Sequence, residues 1–272
     1  MLIRTVCLLL LLAVGAAQAA PQAELWERWL AHDPRSIRPV DHSAWDDFLM
    51  RYVRIRADGV HGVAYGQVTP ADRGALEAYI DALSRLPISR YGRPEQMAYW
   101  INLYNALLVR VVLEHYPVAS VRDIGASANP GTGGPWDGKR LEIEGAALSL
   151  NDIEHRILRP IWRDPRIHYA LSCAAIGCPN LQPEPFAADR IERQLNQAAI
   201  AYINDPRCIQ TGGDQLVVSS IYRWYQDDFG GSDRAVINHL MAYAEPGLAM
   251  SLQHFERIDG DRFEWRLNDA TP

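Results

Sequence analysis

The stretch from Pro94 to His115 constrains the fold more than any other part of this chain. Met97, Trp100, Ile101, Leu103, Leu107, Leu108, Val111 and Val112 spread apolar side chains nearly all round a helix that Pro94 opens and Pro117 ends. A helix with no polar face is buried on every side, so the rest of the chain has to wrap it. Asn102 and Asn105 interrupt this helix three residues apart and share a face. A buried amide left unpaired costs about 1–3 kcal/mol, so both need fixed partners. Those partners are either the backbone of a neighbouring loop or a pocket in which the amides orient a catalytic group.

The flanking patterns supply the wrapping. Trp45, Phe48, Leu49, Tyr52 and Val53 fall at helical spacing. Residues 62–68 alternate like a short strand, and Thr69-Pro70 caps and opens a helix with Leu76, Tyr79, Ile80 and Leu83 on its buried face. A glycine-rich loop, ASANPGTGG, follows at 126–134. Leu141, Ile143, Ala147 and Leu148 flank Glu144-Gly145 as a hairpin. Ser149 or Asn151 then caps a short helix that ends before Pro160. Residues 167–172 read as a buried strand, 188–204 as a helix and 216–219 as a strand. An aromatic helix runs from Ser220 to the Gly230-Gly231 stop, 233–243 is a further helix, and 255–267 reads as a hairpin turning at Asp259-Gly260. The expected fold is α+β: a single domain over residues 20–272, with a helical N-terminal part and a buried central helix on a mainly antiparallel sheet.

The first nineteen residues have the order of a cleavable secretory signal peptide: Arg4, an apolar core from Val6 to Val14, then Ala17-Gln18-Ala19. The apolar run is too short to span a bilayer, and no later segment is long enough. The expectation is a secreted or periplasmic protein without a transmembrane anchor. The chain has 27 basic and 33 acidic residues, and loss of Arg4 with the signal takes the net charge from −6 to −7. That balance argues against nucleic acid as a partner. Cys173, Cys178 and Cys208 remain after cleavage, an odd number in a compartment that permits disulfides.

No GxSxG, HExxH, P-loop or paired CxxC motif is present, so neither a cofactor nor a metal is expected. Four groups of polar residues remain. The first is the Asn102/Asn105 pair. In the second, LSLNDIEH, Glu154 and His155 are adjacent and point about 100° apart on a regular helix, with Asn151 or Asp152 placed to orient the His155 ring. The third, RIHYALSCAAIGCP, holds His168, Cys173 and Cys178. On a strand His168 and Cys173 face opposite ways, so a dyad needs a turn at Ser172 or His155 as the base. Cys173 and Cys178 are open to three readings: a structural disulfide, a reactive thiol pair, or zinc ligands together with the two histidines. The fourth, SSIYRWYQDDFGG, reads first as an amphipathic helix with a glycine stop.

YWINLYNALLVRVVLEHYP, LSLNDIEHRILRP, DPRIHYALSCAAIGCPNL, AYINDPR and SSIYRWYQDDFGG resemble, in this order, the family called domain of unknown function 547, from about residue 92 to 247. Its members are secreted or periplasmic bacterial proteins and plant relatives, and the family name assigns no activity. A buried helix followed by strands that carry a histidine is also similar in outline to transglutaminase-like and papain-like thiol enzymes, with asparagines where their nucleophilic cysteine would stand. Two functions follow. One is a thiol- or histidine-dependent hydrolase or acyl-transferase acting on a peptide, amide or envelope component. In it Cys173 is the nucleophile, His168 or His155 the base, Asn102 and Asn105 orient the site, and Glu154 joins it. The other is a non-catalytic domain that binds a small molecule, peptide or partner through Trp100, Tyr104, Trp136 and Trp224.

Overall fold

The computed structural model describes residues 21–125 and 134–270; the stretch read as a signal peptide, 1–19, and the glycine-rich stretch at 126–133 lie outside the described residues. Helix α1 (Ser43–Tyr52) buries Trp45, Phe48, Leu49 and Tyr52 and passes directly into β1 (Val53–Ile55), which pairs antiparallel with β2 (His61–Val63). The strand expected to reach residue 68 stops at Val63, and Tyr65–Gln67 form a 3-10 turn. The chain bends away because Ala64 N–H donates to the Tyr52 carbonyl, while Val63 bonds to the C-terminal segment through Asn268 and Ala270. Helix α2 (Pro70–Ser84) begins as its sequence dictates: Thr69 Oγ1 accepts the Asp72 N–H at 3.1 Å.

Helix α3 (Arg93–His115) is the centre of the molecule. Every residue from Gln96 to Leu113 except Arg110 is buried. Helix α2 packs on one side of it. Strands β3 (Leu141–Ile143) and β4 (Ala146–Leu148) form the expected hairpin, with Glu144 and Gly145 both at positive φ, 47° and 75°.

Residues 149–172 depart most from expectation. The helix capped by Ser149 is a π-helix, Asp152–Leu158, and it runs on into α4 (Arg159–Trp162) instead of ending before Pro160. Pro160 is tolerated inside this continuous helix because the carbonyl its missing N–H would serve, that of His155, accepts from Glu24 N–H at 2.9 Å instead. The strand expected at 167–172 is a single helical turn, α5 (Ile167–Ala170). Asp164-Pro165 starts it: Ile167 and His168 donate to the Asp164 and Pro165 carbonyls. The strand-face separation of His168 from Cys173 therefore does not apply.

Helix α6 (Ile191–Ile203) divides two apolar clusters. Ile191 and Leu195 join the cluster around α3. Ala198, Ala199, Tyr202 and Ile203 join a second one with Tyr169, Leu216, Val218, Tyr222 and Phe229. The second cluster is framed by β5 (Ile209–Gly212), β6 (Gln215–Ser219), α7 (Ile221–Trp224), a 3-10 turn at Gln226–Phe229, α8 (Asp233–Tyr243) and α9 (Pro246–Leu252). The expected C-terminal hairpin is not formed. Asp259 bonds Leu216 through both backbone and carboxylate, which lays β7 (Gly260–Arg262) parallel to β6. The chain then returns to the first cluster through bridges Ser120–Arg266, Ala175–Leu267 and Val63–Asp269. The fold is α+β, its strand pairs antiparallel except β6–β7, and the Val63–Asp269 bridge is parallel as well. Among the described residues no helix is long and apolar enough to cross a membrane. Turn α5 lies on the seam, with Ile167 and Ala170 in the first cluster and Tyr169 in the second.

Candidate functional site

Ser149 and Asp152 cap the π-helix reciprocally: Ser149 Oγ accepts Asp152 N–H at 3.1 Å, and Asp152 Oδ2 accepts Ser149 N–H at 2.7 Å. Asp152 is also paired with Lys139 and, at 3.3 Å, with Arg156. It is therefore committed to the cap and does not orient His155. Asn151 donates to Asp137 at 2.6 Å and does not orient it either. π-turns concentrate at functional sites because the altered register re-aims side chains. Here it brings the adjacent Glu154 and His155 together, with Glu154 Oε1 3.8 Å from His155 Nδ1.

His168 enters from α5. Its Nε2 lies 2.7 Å from Asp228 Oδ2 and its Nδ1 3.9 Å from Glu154 Oε1. Burial raises the Asp228 carboxyl, but His168 and Arg159 outweigh it and hold the carboxyl well below its usual range. An ionised carboxylate only accepts, so His168 Nε2 is the donor and Nδ1 is the ring atom left to take or give a proton. Arg159 grips the same carboxylate with two bonds, Nε to Oδ2 at 2.6 Å and Nη2 to Oδ1 at 3.1 Å. Its Nη1 donates to His155 Nδ1 at 3.0 Å. A guanidinium has no acceptor, so His155 Nδ1 accepts and Nε2 carries the ring proton. Burial lowers the His155 pKa and outweighs the pull of Glu154, in keeping with a neutral ring.

Tyrosines close the cluster. Tyr104, from α3, donates to Glu154 Oε2 at 3.1 Å. Tyr225 stacks on His168 at 4.1 Å and lies under the Arg159 guanidinium at 4.7 Å. Burial pushes the hydroxyls of both tyrosines well above their ordinary pKa. The Glu154 carboxyl is raised by burial, but His155, His168 and Arg159 beside it, with the Tyr104 hydrogen bond, bring it below its ordinary value. Glu154, His155, Arg159 and His168 are buried, and Asp228 and Tyr225 are half-buried. The cluster thus meets solvent along its Asp228–Tyr225 edge.

The structure brings Glu154, His155 and His168 into one network and places the other candidates around it. Asn105 clamps the backbone just beyond His168, accepting from Ser172 N–H and donating to the Ala170 carbonyl, both at 2.9 Å. Asn102 clamps Phe186 in the same way, at 2.7 and 3.0 Å. Both amides thus have backbone partners. Cys173 and Cys178 form a disulfide, so Cys173 presents no thiol in this state and neither sulfur is a free zinc ligand. Among the described residues no group of three or more His, Cys, Asp or Glu could hold a metal ion. Of the four aromatics, Trp100 and Tyr104 are closed in the core. Trp136 and Trp224 are half-buried and flank Trp265 at 6.2 and 5.4 Å.

Sequence reasoning missed Arg159, Asp228 and Tyr225 as site residues. Asp228 and Tyr225 lay in the aromatic segment read as an ordinary amphipathic helix. The usable signal was an acidic pair among four aromatics ahead of a glycine stop.

Residues 88–203 match the model of a family described as a protein of unknown function, DUF547. The matched segment carries α3, the hairpin, the π-helix, α5, the disulfide and α6. It ends short of Tyr225 and Asp228. No curated protein and no solved structure matches the chain.

Proposed function

We propose that this is an exported acid–base enzyme, a hydrolase or acyl-transferase acting on an amide or ester bond, with His168 as its proton-transfer group. The observation that carries the reading is the His168 ring, held by Asp228 at 2.7 Å with its other nitrogen facing Glu154 at 3.9 Å, on the seam between two apolar clusters. Burying this many ionisable groups costs stability that an apolar replacement would recover, and such clusters concentrate at active sites. In this reading Asp228 orients His168, Nδ1 takes a proton from an attacking water or hydroxyl, and Glu154 with its two tyrosines balances the charge. His155 offers a neutral Nε2–H to a developing oxyanion. Asn105 is a positioning residue that holds the turn carrying His168. A Cys173 nucleophile is available only after reduction of its disulfide. Export is supported by the leader pattern and by that disulfide.

The test is a panel of p-nitroanilide, p-nitrophenyl ester and quenched peptide substrates, assayed with and without dithiothreitol on the wild type, H168N and C173S. H168N should lower kcat at least a hundredfold with KM little changed. Activity that appears only with dithiothreitol and vanishes in C173S would transfer the chemistry to the thiol. Equal rates for H168N and wild type would remove the catalytic reading. The half-buried Trp136–Trp265–Trp224 group favours a second reading, ligand binding without turnover.

A further inference from the structure

Residues 21–25 are exposed, yet this segment is tied along the π-helix. Glu24 N–H donates to the His155 carbonyl at 2.9 Å and Trp26 N–H to the Arg156 carbonyl at 3.0 Å. Arg159 Nη1 donates to the Pro21 carbonyl at 2.7 Å. Trp26 lies on the Arg156 guanidinium at 4.5 Å, while Trp29 anchors the chain beyond it against Trp100 at 5.0 Å.

Helix carbonyls are ordinarily consumed by their own helix. The one at His155 is free for a reason written in the sequence. In the π register each carbonyl accepts from the fifth residue onward, as the Glu154 carbonyl does from Arg159 N–H. The fifth residue after His155 is Pro160, which has no N–H. The orphaned carbonyl is met by a passing main chain, whose donors come from alternate residues, Glu24 and Trp26, as in an extended chain, and whose acceptors are adjacent residues of the helix. The same Arg159 Nη1 that holds the Pro21 carbonyl also contacts His155. The bound main chain is therefore one guanidinium away from the buried cluster.

We propose that the His155 and Arg156 carbonyls and the Arg159 guanidinium form a binding site for the main chain of an extended peptide, which the protein's own residues 21–26 occupy. The site recognises backbone, with a tryptophan-sized side chain taken by Arg156. Its role as the substrate site rests on the reading of the cluster as catalytic; the binding does not. The tethered segment competes at an effective concentration of order millimolar, so an added peptide has to displace it.

The test uses a fluorescein-labelled peptide with the sequence of residues 21–30, titrated by anisotropy against wild type, Glu24→Pro and Glu24→Ala. Glu24→Pro removes the N–H given to His155. Glu24→Ala keeps that bond and removes only the Glu24 side chain, which lies 3.9 Å from Arg156. One lost main-chain bond of about 1 kcal/mol predicts roughly fivefold tighter peptide binding to Glu24→Pro than to wild type or Glu24→Ala. A peptide N-methylated at the positions of Glu24 and Trp26 should lose most of its binding. Equal binding by the methylated peptide, or no difference between the two variants, overturns the proposal. Peptide binding without turnover of any substrate would sink only the catalytic reading. Turnover that needs His168 in a protein that never binds the peptide would sink only the peptide site.

Discussion

Replacing Asp228 by Asn tests whether the seam cluster is one coupled unit. The substitution keeps the shape of the side chain but removes the charge that faces Arg159 and the full acceptor for His168. The Arg159 side chain is 6 % exposed and that of Asp228 22 %. Breaking one partner of a buried ion pair costs about 3–5 kcal/mol, and the partial exposure of Asp228 brings the expected loss to about 2–3 kcal/mol. For a chain of this length that is a fall of about 4–12 °C in Tm, read by circular dichroism or by urea titration. The double mutant Asp228→Asn/Arg159→Met should be less destabilised than the sum of the two single changes, by about 1–2 kcal/mol, because the second change removes the stranded cation. The carboxyl of Asp228 is lowered in the fold, so its stabilisation is present above the ordinary Asp range near pH 4 and is lost as pH falls below it. Asp228→Asn should flatten that acid limb. A loss below about 0.5 kcal/mol, or strict additivity of the two changes, would show that the network is a set of independent surface pairs.

Three further outcomes are expected. Burial lowers His42 and His239 to about 4 and lowers His155 as well, so all three favour the folded state while neutral. Stability should be full above pH 6.5 and fall toward pH 4, with His42 alone accounting for about 3 kcal/mol; urea midpoints unchanged between pH 7 and pH 4.5 would contradict this. Cys208 is buried and its thiol is pushed up to about 12 by burial, so of Cys173, Cys178 and Cys208 none should react with Ellman's reagent in the native protein and one in guanidinium. Two reactive thiols in the native state would mean that the disulfide is not formed. Asn105→Leu strands the Ser172 N–H and the Ala170 carbonyl in the core, which should cost about 2–4 kcal/mol in chemical denaturation. A change within 0.5 kcal/mol would mean that water replaces the amide.

Features that depend on residues a few positions apart were determined by the sequence alone. The apolar circumference of α3, the Thr69-Pro70 helix start and the left-handed Glu144-Gly145 turn are local, and each stands where its pattern puts it. Asn102 and Asn105 were legible as amides in need of partners, because the cost of burying them unpaired does not depend on where the partners lie. Tertiary structure decided everything that turns on separation along the chain. A short apolar run such as residues 167–172 fits a strand or a helical turn equally well, and Asp164-Pro165 together with its packing on the seam made it helical. The pairing of Cys173 with Cys178 left both a thiol and a disulfide open until the chain was folded around them. Asp228 reaches His168 across 60 residues and Arg159 across 69, and no local pattern encodes contacts of that range. The π register follows the same logic: Pro160 deprives the His155 carbonyl of its donor, but only the folded chain brings Glu24 to fill the vacancy.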